Sequence, residues 1–133
     1  MSENDGLRTN VEQLAARVHT LEDQVEIMQL VAQYGPAVDS GSGAAGHQSL
    51  IHNGCGHVLT VPHVVVDGDQ ATGRSYALNI RWDANADRFW VARVSANTWH
   101  WVRTSEGWRI TDRVNANLDG TAEHRDMLAP PAE

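Results

Sequence analysis

Four of the seven histidines, His47, His52, His57 and His63, fall in one short stretch with Cys55, the single cysteine. Such a cluster invites a metal reading. The spacing matches no standard zinc pattern, however, and no second cysteine is present, so no metal site is expected. Cys55 stands between two glycines, two residues before His57. It reads either as half of a thiolate–imidazole pair or as a small unreactive thiol. A second group, Arg93, Asn97 and Arg113, places polar side chains among apolar sheet positions, where they can orient a substrate oxygen or form cross-strand pairs facing solvent. The five tryptophans, Trp82, Trp90, Trp99, Trp101 and Trp108, all lie in the same region. They suit an apolar pocket lining, a core or an interface. All ten basic residues are arginine, which leaves no lysine side chain for Schiff-base chemistry.

These residues need a scaffold, and the apolar pattern supplies two kinds. Leu7, Val11, Leu14, Val18, Leu21, Val25 and Met28 alternate spacings of four and three, an a/d seam over about three heptads. After Met28 the apolar set shifts to Ile27, Leu30, Val31 and Tyr34, as in a helix that leaves a partner seam to lie on a core. The helix is predicted over Leu7–Tyr34, ended or kinked by Gly35-Pro36. The seam either pairs with another chain or folds back on its own domain. Ser40–Gly46 has the composition of a flexible linker. A turn or two of helix is predicted within His47–Gly54.

From His57 the period becomes two. Strands are predicted at His57–Val66, with Pro62 marking an edge or bulge, at Gln70–Trp82, at Arg88–Thr104 and at Trp108–Asn117. Asp67-Gly68 and Ser105-Glu106-Gly107 are turn signals. Thr121–Leu128 reads as a short helix behind a Thr cap. The result is an α+β order: a long N-terminal helix packed on a curved antiparallel sheet of about four strands, a truncated cone-like barrel. Residues 1–133 form a single domain in this reading, with 1–28 as a coiled-coil extension and 129–133 as a flexible tail. On the third strand, Trp90, Ala92, Val94 and Ala96 look like the core face. Arg93, Ser95, Asn97, Trp99 and Trp101 lie opposite, and a bulge would shift that parity.

The length of 133 residues suits one domain, and 41% apolar content suits a globular one. A net charge of −7 argues against nucleic acid and anionic membrane surfaces as partners. No apolar run approaches the ~18 residues that span a bilayer. With no signal-peptide pattern and one cysteine, a cytoplasmic location is expected.

Three segments carry a resemblance. Leu21-Glu22-Asp23, Ile27, Leu30, Tyr34 and Val38-Asp39 resemble the first helix of SnoaL-like proteins, within the nuclear transport factor 2-like group. His57-Val58-Leu59-Thr60 and Val66–Ala71 resemble their histidine-bearing strand and hairpin, and Val102–Arg113 their closing hairpin. The resemblance implies a conical pocket and, with only Ser40–Gly56 between the first helix and the first strand, a pocket that has lost a wall. It also implies, by analogy with dehydratase-like relatives, that Tyr34 polarises a carbonyl while Asp39 and His57 move a proton beside it. The chemistry is sound: a carboxylate fixes the tautomer of an imidazole that titrates near neutral pH, and a phenol donates to a developing enolate. The same three residues also fit a core aromatic, a turn residue and the first residue of a strand.

Two functions follow as expectations. One is a cofactor-independent dehydratase, isomerase or cyclase acting on a small cyclic, polyketide- or steroid-like molecule. Tyr34, Asp39 and His57 would be catalytic, with Asn97, Trp99 and Arg113 binding substrate. The other is a non-catalytic ligand-binding or dimerisation module. A homodimer is expected in both.

Overall fold

The structure is a computed structural model that describes residues 2–41, 48–130 and 132. Helix α1 runs Glu3–Asp39, 37 residues. It begins earlier than predicted because Ser2 and Asp5 form a reciprocal capping box. It also passes through Gly35-Pro36, which neither ends nor interrupts it. Proline removes one N–H and crowds the carbonyl four residues back, yet its own carbonyl still accepts from the Ser40 N–H at 2.9 Å, and three further residues of helix follow. Helix α2, Gln48–Asn53, supplies the expected short turn of helix, while His47 and most of the linker-like stretch lie outside the described residues.

The sheet has five strands rather than four: β1 (Cys55–Leu59), β2 (His63–Asp67), β3 (Gln70–Asp83), β4 (Arg88–Thr104) and β5 (Gly107–Asn117). The extra strand arises because the segment read as one is broken around Pro62. β1 pairs with the far half of β3 and β2 with its near half, so the two lie end to end along one edge. All pairings are antiparallel, and the sheet is curved and unclosed, with β1/β2 and β5 as its edges. A short helix α3, Ala122–Asp126, follows; its Thr121 takes the cap position without a side-chain bond.

The predicted core face of β4 is reversed. Ser95, Asn97, Trp99 and Trp101 are buried, whereas Trp90 and Val94 are exposed; of the predicted set only Ala96 is fully buried. The register shifts between Asn79 and Ile80, where Arg93 pairs with Asn79 and Val91 with Ile80, so Ala92 is the bulged residue. Trp99, Trp101 and Trp108 supply the apolar bulk on the buried face. They form one cluster with Ile27 and Val31 of α1 and Val64 and Ala71 of the sheet.

Only the C-terminal half of α1 is docked. Asp23 accepts from Arg103 Nη1 and Nη2 at 2.7 and 2.8 Å and from Trp108 Nε1 at 3.0 Å, and Glu26 accepts from the Trp108 backbone N–H at 3.1 Å. Arg103 lies over the Trp108 ring, 4.6 Å from its centroid. The bonds from Arg103 hold the Asp23 carboxyl below its ordinary range. At the other end of the docked half, Gly35 meets β1 closely: a Cβ there would sit 2.2 Å from the His57 carbonyl oxygen. The N-terminal half leaves its seam in solvent, with Val18, Leu14 and Val11 50%, 55% and 63% exposed. The seam therefore does not fold back on its own sheet.

Candidate functional site

The close approach at Gly35 puts the last turn of α1 against the start of β1. Asp39, four residues on, consequently faces His57. The His57 ring approaches Asp39 Oδ1 with Nδ1 at 2.6 Å, and the His57 backbone N–H donates to Asp39 Oδ2 at 2.8 Å. A carboxylate only accepts, so the ring donates from Nδ1–H. Because Asp39 grips both the backbone and the ring of one residue, the imidazole is fixed in position and tautomer together.

Cys55 Sγ lies 3.9 Å from Asp39 Oδ1. Burial, and then the neighbouring Asp39 charge, push the thiol pKa up, so Cys55 stays protonated at neutral pH and is no nucleophile. Asp39, Cys55 and His57 offer three donor atoms within 4.8 Å of one another. The 2.6 Å Asp39–His57 separation is nonetheless a hydrogen-bond distance, shorter than the ~3.3 Å between N and O ligands around tetrahedral zinc.

A cavity of about 210 Å³ opens beside the pair. Tyr34, Val38 and His57 line it from α1 and β1, with Leu59, Ala77 and Asn79, while β4 and β5 contribute Arg93, Ser95, Arg113 and Asn115. The polar side of the cavity is one hydrogen-bonded network. Arg113 Nε donates to Asn97 Oδ1 at 2.9 Å, and Asn115 Nδ2 donates to both Asn97 Oδ1 and Ser95 Oγ at 2.8 Å. Arg93 closes the network by donating to Asn115 Oδ1. The Arg113 guanidinium lies 4.5 Å from the Tyr34 ring centroid and 5.0 Å from that of Trp99, which holds its plane.

The predicted site residues therefore fall into two layers. Tyr34, His57, Arg93 and Arg113 line the cavity, and Asp39 stands behind His57. Asn97 and Trp99 lie beneath, 0% and 1% exposed, and reach the cavity through Arg113. Trp99 also donates from Nε1 to Ser75 Oγ at 2.9 Å and stacks on Trp101. His52 and His63 are not among the lining residues of this cavity. Sequence reasoning missed Asn115 and used Ser95 only as a face marker. The signal for both was cross-strand: Asn115 pairs with Asn97 and Asn117 with Ser95, which aligns four polar residues on two adjacent strands.

Comparison with known proteins agrees with this architecture. Residues 42–114 match the SnoaL-like domain family. A nuclear transport factor 2-like protein with a cystatin-like fold from Novosphingobium aromaticivorans is 36% identical, with a TM-score of 0.80 over 87% of this chain and 95% of that one. A nuclear transport factor 2-like superfamily protein from Salmonella enterica shares the fold at 13% identity and a TM-score of 0.56, over 74% and 92% of the two chains. A protein of unknown function from Mycobacterium tuberculosis does so at 19% identity and 0.57, over 70% and 74%. No curated protein matches the chain.

Proposed function

The chain belongs to the SnoaL-like family, and on that premise we propose that it is a cofactor-independent lyase, isomerase or cyclase that moves a proton on a small cyclic oxygenated molecule. The observation that carries the reading is the 2.6 Å His57–Asp39 contact at the wall of a cavity shared with Tyr34. His57 is the base and then the acid, Asp39 orients it and stabilises its cationic form, and Tyr34 donates to the oxygen on which charge develops. The cavity of about 210 Å³ lies below the ~300–1,000 Å³ typical of drug-sized ligands, which favours one ring over a steroid. Cyclic ketones and enols of one ring are the substrates to screen. For any that turns over, His57→Ala is expected to lower kcat about 10²–10⁴-fold with the fold retained by circular dichroism. Equal turnover in the two proteins removes His57 from the site.

The exposed seam supports a second element of the reading, pairing with another copy of the chain. Leu7, Val11, Leu14, Val18, Leu21 and Val25 form one apolar stripe on a helix that offers it no cover. Light scattering at micromolar concentration is expected to give twice the 14.6 kDa of one chain, and Leu14→Asp with Leu21→Asp to halve it. A monomeric wild type refutes pairing. A dimer that survives both substitutions moves the interface to the outer sheet face, where Tyr76, Val94 and Val114 are also exposed. Among the described residues no helix is long and apolar enough to cross a membrane.

A further inference from the structure

We infer that the ligand of this cavity carries a carboxylate, received by Arg93 and Arg113; the inference rests on the reading of the cavity as the substrate site. The chain holds 17 acidic residues against ten arginines, yet among the described residues only two arginines pair with carboxylates. Arg103 takes two of them, Asp23 and Asp69, and Arg109 takes Glu106. Among the described residues no carboxylate lies within ion-pair distance of Arg93 or Arg113, although both face one cavity.

The amide oxygens beside them are already used. Asn97 Oδ1 accepts from Arg113 and Asn115, and Asn115 Oδ1 accepts from Arg93. Arg113 uses only Nε in this network, so its two Nη groups remain as donors. The wall therefore presents donors and positive charge, with its acceptors turned inward. The Tyr34 and Trp99 rings hold the Arg113 plane in advance, the arrangement that favours two parallel N–H···O bonds to a planar carboxylate. The other wall selects against a doubly charged phosphate, since Asp39 stands behind His57 there. Val38, Leu59 and Ala77 cover the apolar part of a single ring.

Benzoate, benzamide and phenyl phosphate share a ring and differ in the group offered to the arginines. Calorimetric titration into the full chain is expected to give benzoate an affinity about tenfold or more above benzamide, and above phenyl phosphate. The preference should shrink as salt rises. Arg113→Gln is expected to erase it and Arg93→Gln to reduce it; if Arg113→Gln does not fold, the more exposed Arg93 carries the test. Benzamide or phenyl phosphate binding as tightly as benzoate overturns the inference. So does undetectable benzoate binding at millimolar concentration, or benzoate affinity unchanged in Arg93→Gln. Benzoate preference lost in the arginine variants of a protein without turnover on any cyclic keto acid supports the carboxylate and retires proton transfer. Turnover of neutral ketones with no preference for benzoate does the reverse.

Discussion

Gly35→Ala is expected to destabilise the protein by about 3 kcal/mol or more and to separate His57 from Asp39. In a solvent-facing helix the same change stabilises by up to ~1 kcal/mol, because alanine is the better helix former. Here the new methyl would stand 2.2 Å from the His57 carbonyl oxygen and 3.4 Å from its carbon. Both are backbone atoms, so no rotamer change relieves the overlap. α1 must lift from β1, and the 2.6 and 2.8 Å contacts of Asp39 lie one helical turn away. Gly6 is the internal control: it lies in the same helix with nothing within 4 Å of an added Cβ, and Gly6→Ala is expected to be neutral or stabilising. Urea melts of the two variants check the opposite signs. A wild-type midpoint for Gly35→Ala would mean that the approach of helix and strand is not tight.

Trp108→Ala is the second large effect, about 3–5 kcal/mol. The ring is 0% exposed, lies under Arg103, donates to Asp23, and its backbone N–H is held by Glu26. Removing it leaves a cavity in the cluster and takes away one of the donors on Asp23, so α1 loses its grip on the β4–β5 hairpin. The clamp has a pH signature. Asp23 titrates below its usual 3.8, so its contribution is complete above that value and is lost as pH falls through the lower folded value. The stability gap between wild type and Trp108→Ala should accordingly be wider in melts at pH 7 than at pH 3. An equal gap would show that the clamp acts through packing alone.

Much of this fold was legible from period and punctuation. The change from heptad to alternating pattern before His57 and the turns at Asp67-Gly68 and Gly107 gave the strands nearly to the residue. Pro62 marked the break between β1 and β2, though not that it makes two strands. The face of β4 was not legible, because alternation alone does not say which set is inside. Trp90 and Val94 are as apolar as Trp99, and the choice was made by α1, which covers Trp99 and Trp101, and by the bulge at Ala92. Pro36 does not end the helix for a related reason: a proline near a helix end forfeits one N–H, and docking of Gly35 and Val38 outweighs it. Asp39, His57, Arg93 and Arg113 were visible as types. The meeting of Asp39 with His57 depended on a glycine whose role appears only when a strand is laid against it.

The unbroken helix also has a mechanical consequence. At about 1.5 Å per residue, the 37 residues of α1 make a rod of roughly 55 Å. It is seated on the sheet near Val31. Asp39 is then the tip of a short arm of about 12 Å and Glu3 the tip of a long arm of about 42 Å. The bonds of Asp23 and Glu26 and the close seat of Gly35 lie between the two tips, so a load on the long arm reaches Asp39 only through them, and a displacement of about 1 Å there is the scale of misplacement that can cost ~10²-fold in rate. Whatever grips the long arm pulls first on the bonds of Asp23 and Glu26, and only through them on the carboxylate at the short one.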